Sequence, residues 1–370
     1  MTLFGQPASL RRWSCPCCPS AGFNTALYAA TRAKARASVR TVVRKTARRA
    51  VWASKPRRID VHHHISPRSY TQAIGPEKLV NTYPGSRTAA YDWTPAMAIE
   101  DMDRGGSATA ITSIYSGTHL AEHPDARRLA RESNEFAARM MQDYPGRFGM
   151  FAALPALDIE GTLREIEYAL DVLDADGVHL MTSYRNKWLG DPFYAPVFEE
   201  LQRRKAVLYT HPTVPDFAQN LIPGVPDTVI EIGTDTTRAI ASLLFSGTAA
   251  RYPDVNIIFS HGGGTLPFLI ERFTRLAQRK QLAARLPRGI LREIERFYYD
   301  VAQIAYPAPM AALLKLVPVT QILFGTDFTF RTAAEIADGL QACNLSARVH
   351  KAINRDNALR LFPRFKHVMA

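Results

Sequence analysis

Eight short apolar segments, each followed by a stretch of helical spacing, run through residues 57–365 of this chain, and four of them end in a histidine or an aspartate. The segments are Arg58–His62, Ala108–Tyr115, Phe148–Leu154, Gly177–Met181, Ala206–Thr210, Val255–Ser260, Phe297–Val301 and Gln321–Gly325. Strands alternating with helices predict an α/β protein with a parallel sheet. Eight repeats over about 300 residues fit a (β/α)8 TIM barrel, whose usual size is about 250 residues with room for insertions. A doubly wound open sheet is the competing architecture. The polar strand ends decide for the barrel. His62 and His64, His211, His261 and Asp327 follow the first, fifth, sixth and eighth segments. Barrel enzymes carry their sites on that face, and closure makes the first and eighth strands neighbours.

Between the strands, helices are expected from Thr94-Pro95 to Gly105-Gly106, and over Asp125–Tyr144, Asp158–Leu173, Asp191–Lys205 and Asp235–Arg251. Others are expected from Leu266, over Ala308–Leu316, and near Ala333–Gln341 and Ser346–Leu361. A proline-rich loop is expected from Pro212 to about Gly233; loops of that length are usually functional or disordered.

The formal charge of +12 is confined to the start of the chain. Of the 46 Lys and Arg, thirteen lie in residues 1–58 with no Asp or Glu, leaving 33 against 34 acidic residues. A nucleic-acid role would rest on this leader alone, where no binding fold is recognisable. Arg32, Arg36, Arg40, Arg44 and Arg48 recur every four residues. Acid-free, Arg-rich composition reads as a transit peptide, a mis-assigned start or a basic disordered arm. Residues 1–56 are accordingly expected to be a leader and 57–370 the catalytic domain. Cys15, Cys17, Cys18 and Cys343 form no disulfide framework, and a reducing cytoplasmic compartment fits, with mitochondria the alternative if the leader directs import. No window approaches the ~18 uninterrupted apolar residues of a membrane helix.

In an extended strand His62 and His64 share a face while His63 turns away and packs outside the barrel. Two imidazoles two residues apart on one strand face can grip one ion. With His211 and Asp327 they make three nitrogens and one carboxylate, a borderline-soft set suited to Zn2+, with Mn2+ the next choice. The four are expected to be ligands of a catalytic divalent metal with an open position. Asp60, on the same face one step deeper by alternation, is read as orienting a ligand or as a charge paired to an arginine. His261 opens the turn Gly262-Gly263-Gly264, which lets backbone approach the site, and is expected to be an acid/base beside the metal. His119 and His123 read as surface residues, His119 also as a substrate contact, and Arg68, Arg185 and Arg238 as candidate anion partners.

Four separated motifs carry a resemblance. They are Asp60-Val61-His62-His63-His64, Tyr209-Thr210-His211-Pro212, the run from Phe259 through His261 to Phe268, and Leu323-Phe324-Gly325-Thr326-Asp327-Phe328. Together they resemble the amidohydrolase-related decarboxylases, the group of aminocarboxymuconate-semialdehyde, γ-resorcylate and 6-methylsalicylate decarboxylases. Asp235-Thr236-Thr237-Arg238-Ala239, Ser246-Gly247 and Phe297-Tyr298-Tyr299-Asp300 extend the likeness furthest toward the last. The resemblance implies a barrel of the metal-dependent hydrolase type, with His62, His64, His211 and Asp327 matching the metal ligands and His261 the strand-six catalytic histidine. It also implies loss of CO2 from a hydroxylated aromatic acid similar to 6-methylsalicylate, leaving a phenol, with His261 and Asp327 catalytic and the proton coming either from Asp327 or from metal-bound water held by His261. Thr329 and Val301-Ala302 depart from the pattern where proline and threonine are common, away from the metal set. A hydrolase acting on a lactone or amide is the competing activity, and a basic-arm binding protein the non-enzyme reading. The expected partners are a small aromatic acid and a second copy of the chain in a homodimer, with neither nucleic acid nor membrane.

Overall fold

A computed structural model describes residues 58–75, 77–79, 92–115 and 117–368. The basic leader, and the readings attached to it, lie outside the described residues.

Eight parallel strands follow one another around one sheet: β1 (Arg58–Ile65), β2 (Ser107–Ile114), β3 (Phe148–Ala153), β4 (Gly177–Met181), β5 (Val207–His211), β6 (Asn256–Phe259), β7 (Tyr298–Asp300) and β8 (Ile322–Leu323). Each pairs with the next in parallel register. The ends of the sheet meet where the chain beyond β8 runs along β1. Val61 N–H donates to Phe324 O, Asp327 N–H to His62 O and His64 N–H to Phe328 O, at 3.0, 2.8 and 2.9 Å. The barrel expected from the strand pattern is therefore the observed fold. Its floor is apolar: Ile59, Val61, Ile111, Phe151, Val207, Tyr209, Ile258 and Leu323 pack together with Phe362 and Phe365.

Local chemistry sets the helix boundaries. Pro95–Gly105 opens on Thr94, whose side chain accepts from Met97 N–H, and closes on left-handed Gly106. Thr332 and Glu335 form a reciprocal cap at the start of Ala333–Ala342. The helix expected from Asp235 instead begins at Thr228, so the proline-rich loop is shorter than expected. Gly233, which reads as a helix breaker, lies inside that helix, and its carbonyl oxygen faces the turn after His261, where Gly264 must lack a side chain. A side-chain carbon on Gly264 would sit 1.9 Å from Gly233 O. The same helix ends at Phe245, and Gly247, at φ 83°, separates it from Thr248–Arg251. The stretch expected as one helix from Ser346 to Leu361 is broken by a wider turn at Ala352–Asp356. Sequence patterning also misses the helix Arg68–Ile74 and the antiparallel ribbon pairing Ser183–Tyr184 with Lys187–Trp188.

One expectation fails inside β1. Its register with β2 slips between Asp60 and His63, so the strand is bulged there and strict alternation is lost. Val61 joins the barrel floor, and Asp60 lies with His63 rather than with His62 and His64. Asp60 Oδ2 is 3.1 Å from His63 Nδ1, while the carboxylate accepts from the Thr326 N–H and hydroxyl and from the His62 N–H. Asp60 thus ties the chain beyond β8 to β1 and orients no candidate ligand ring. His63 is fully buried and stacks on Phe328 with centroids 4.5 Å apart. Replacing Asp60 with alanine strands several buried donors, and a loss of about 3 kcal/mol or more is expected. Urea unfolding of the two proteins side by side is the measurement.

Candidate metal centre

The barrel closure brings four expected residues into one buried cluster. His62, His64, His211 and Asp327 each offer a ligand atom, and all of these lie within 4.8 Å of one another. Asp327 Oδ1 is 3.2 Å from His62 Nε2, 3.1 Å from His64 Nε2 and 3.9 Å from His211 Nε2. The two strand-one rings face each other, Nε2 to Nε2, at 3.2 Å. Ligands each about 2.0 Å from a shared ion and about 109° apart would be roughly 3.3 Å from each other. The spacing is that of donors around one ion.

The far side of each ring supports the same reading. His62 Nδ1 is 2.9 Å from Asp300 Oδ2, His64 Nδ1 is 3.3 Å from Ser113 Oγ, and His211 Nδ1 is 2.9 Å from Pro212 O. An acceptor on Nδ1 fixes the tautomer that leaves the Nε2 lone pair toward the cluster. His211 Nε2 is buried and has no hydrogen-bond partner, a state an ion would relieve. The donor set is that of a divalent metal site.

Asp300 is the support that the expectation placed on Asp60. It is fully buried, and its second oxygen accepts the N–H groups of His261 and Ala302. One carboxylate thereby joins β1, β6 and β7. The signal was the acid within the seventh apolar segment, Phe297–Val301, which the structure places at the end of β7.

Electrostatics follow from this packing. Burial disfavours charge on His62, yet Asp300 and Asp327 beside it raise its pKa to about 10. Burial and the neighbouring imidazoles lower His64 and His211. Burial acts upward on Asp327, but His62 and the hydrogen bonds from His261, His62 and His64 hold its carboxyl well below the usual range. An ion must displace the proton on His62, so loading is expected to weaken as pH falls.

The second oxygen of Asp327 faces elsewhere. Its Oδ2 is 3.2 Å from His261 Nε2 and also accepts from the Gln303 amide, which sequence reading does not single out. His261, Gln303 and Asp327 sit at φ of 53°, 57° and 64°, a region that residues with a side chain rarely enter. At each position the chain has just left a strand, and the turn swings a polar group toward the cluster.

The arginine expectations fare differently. Arg238 pairs with Glu231 at 2.9 Å, and its guanidinium carbon lies 5.2 Å from the centre of the Phe217 ring. Arg185 lies with His119, Lys78 and Ser183 along a cavity of about 580 Å³, formed by loops beyond β2, β4 and β5. None of the four cluster residues lines that cavity. Arg68 lines another cavity with Trp93 and Phe136, and His123 accepts from Asp125 N–H.

Fold and site together define a metal-dependent barrel enzyme. The amidohydrolase family profile matches residues 59–364, and the chain belongs to that family. It is 37% identical over 330 residues to decarboxylase yanB of Aspergillus niger, covering 84% of this chain and 88% of that one. To the 6-methylsalicylic acid decarboxylase of Penicillium expansum it is 34% identical over 326 residues, covering 84% and 98%. Among solved structures, 2,6-dihydroxybenzoate decarboxylase complexed with 2,6-dihydroxybenzoate shares the fold at a TM-score of 0.71 and 23% identity, covering 84% of this chain and 100% of the other. A dihydroxybenzoic acid decarboxylase from Polaromonas, with bound manganese, superposes at 0.69 and 24% identity, covering 83% and 96%.

One divalent ion per chain is expected by elemental analysis, and His62→Ala or His211→Ala should abolish it. Asp300→Asn should weaken the affinity about 10- to 100-fold, the usual scale for a lost ligand support. Full metal retention in all three variants would contradict the assignment.

Proposed function

We propose that this protein is a metal-dependent carboxy-lyase, removing CO2 without oxidation from a hydroxylated aromatic acid similar to 6-methylsalicylate and leaving a phenol similar to m-cresol. The observation that carries the reading is the 34% identity to a 6-methylsalicylic acid decarboxylase over 98% of that protein's length. The site agrees with it. Tyr115 and Phe330 stack at 5.6 Å on one side of His64, an aromatic wall suited to a planar ring.

In this reading His62, His64, His211 and Asp327 hold the ion. Zn2+ is the choice the three-imidazole set favours, and Mn2+, bound in the Polaromonas structure, is the alternative. When bound, the ion would supply Lewis acidity to the substrate. The protein's own groups manage the proton. An aryl carboxylate cannot leave as CO2 until the ring carbon bearing it is protonated, because the electrons of the breaking bond need somewhere to go. The hydrogen-bonded pair His261 and Asp327 holds that proton at the cluster and delivers it to the carbon. The C–C bond then breaks, its electrons restore the aromatic ring, and CO2 departs. Gln303, donating to the same Asp327 oxygen, keeps the carboxylate turned toward His261.

We further propose a homodimer and a cytoplasmic location, with residues 1–56 dispensable for catalysis. Exposed Phe217, Leu221, Val229, Ile230 and Phe268 support self-association. Among the described residues no helix is long and apolar enough to cross a membrane. Removing residues 1–55 is expected to leave folding and turnover unchanged, and a reporter fused to residues 1–50 tests for import into mitochondria. Light scattering at two concentrations tests the dimer.

His261→Ala should keep the ion while lowering turnover about 10²- to 10⁴-fold, the scale of a lost acid/base group. Asp327→Asn should abolish turnover even where some ion remains. In deuterated water the phenol should carry one deuterium where the carboxylate was. An Asp327→Asn enzyme with near-normal CO2 release would defeat the proton assignment. Opening of a lactone with no CO2 from any hydroxybenzoate would make the protein a hydrolase instead.

A further inference from the structure

Asp327 presents its two oxygens to different neighbours. Oδ1 faces the three imidazoles of the cluster, whereas Oδ2 lies 3.2 Å from His261 Nε2 and accepts from the Gln303 amide. Asp327 and His261 are 2% and 4% exposed, and Gln303 is open to solvent. It is therefore the neighbour of Oδ2 that a ligand entering from solvent can reach.

The turn that carries Gln303 is held on both sides. Asp300 at the end of β7 accepts the Ala302 N–H at 3.0 Å, and Val301 N–H donates to Leu323 O of β8 at 3.1 Å. Ile304 N–H closes back onto Val301 O at 3.1 Å. Ile304 packs against the turn after His261, where a side-chain carbon on Gly262 would sit 2.3 Å from Ile304 Cδ1. Between these anchors Gln303 stands at φ 57°, a conformation that a glutamine adopts only at a cost. A strained residue that reaches a reactive group points to a task for its side chain.

The reaction proposed above indicates the task. The carbon that takes the proton must come beside Asp327 Oδ2 and His261 Nε2, at roughly 3–3.5 Å, the separation of atoms poised to react. That same carbon bears the carboxylate, so a carboxylate oxygen lies two bonds further on, within reach of a group already touching Oδ2. Gln303 is such a group. An amide nitrogen carries two hydrogens, and one on Oδ2 leaves the second to donate. The arginines expected to meet a substrate anion lie elsewhere: Arg238 pairs with Glu231, Arg185 is near Glu122, and Arg68 lines the cavity beside Trp93. An uncharged donor also suits a group that departs as neutral CO2. A guanidinium would hold the carboxylate more tightly than the transition state, in which the negative charge is passing to the ring, and so would slow its loss.

We propose that Gln303 touches the substrate, its amide bridging Asp327 Oδ2 and one oxygen of the substrate carboxylate and so fixing the carbon that bears the carboxylate against the proton source. This rests on the decarboxylase reading above. The contact is made to the acid and is lost with CO2, so it favours the acid over the phenol it leaves.

Gln303→Leu removes both amide N–H groups at nearly constant volume, and Gln303→Ala does so without the apolar bulk. The metal-loaded proteins are titrated by calorimetry with two ligands. One is 3-methyl-2-nitrophenol, which has a nitro group where 6-methylsalicylate has its carboxylate and cannot release CO2; the other is m-cresol, which has nothing there. Both variants should bind the nitrophenol about 3- to 10-fold more weakly and m-cresol within about twofold of native, with ion content and melting temperature unchanged. On 6-methylsalicylate kcat/KM should fall about 10- to 100-fold with KM raised, the scale of a hydrogen bond to a charged group. A variant that loses the ion, or whose kcat falls while both ligands bind as in native protein, would show that Gln303 acts only through Asp327 and would overturn the proposal. So would an equal loss of both ligands. If no hydroxybenzoate releases CO2, the decarboxylase reading fails by itself, and the ratio of nitrophenol to cresol binding still decides whether Gln303 touches the group at that position.

Discussion

The hydrogen bond from Asp327 N–H to His62 O, with its two companions along the same seam, is the contact on which this site depends. It joins residues 265 positions apart and places the Asp327 carboxylate opposite the strand-one imidazoles. Without closure of the sheet, the first and last strands would lie at opposite edges. Asp60 reinforces the seam by accepting from Thr326 and from His62 N–H. The seam therefore holds through backbone pairing and a buried carboxylate at once, which explains why a charge with no catalytic task is retained at the foot of the site.

Much of this was legible in the chain because strand ends are where periodicity and chemistry meet. An apolar run of five to eight residues closing on His62, His211, His261 or Asp327 marks both the strand and the face on which barrels gather polar groups. What alternation could not reveal was the slip in β1. A bulge adds a residue without changing composition, so nothing in Arg-Ile-Asp-Val-His-His-His announces that Asp60 turns away from His62 and His64. Gln303 was hidden for a different reason. It lies in a turn beyond β7, and its approach to Asp327 depends on a positive φ that carries no residue signature outside glycine and asparagine.

The helix boundaries teach a related lesson. Gly233 reads as a breaker by local propensity yet lies within the helix, and it is Gly264 that must lack a side chain to pass the Gly233 carbonyl. A glycine can be present for the sake of another chain segment, and only the fold tells the two uses apart. The turn after His261 is built on this contact, since Thr265 N–H donates to Gly233 O across it. Helix and turn are coupled, so the position of the His261 ring is set partly by a helix that belongs to the preceding strand.

Charge balance gives the arrangement its direction. Asp300 and Asp327 are both buried and both within hydrogen-bond reach of His62. Two buried carboxylates so near one another need positive charge to offset them. Asp300 and Asp327 favour a proton on His62, and a divalent cation at the cluster would take over that role. With that cation bound the site would be close to neutral, since its charge offsets the two carboxylates.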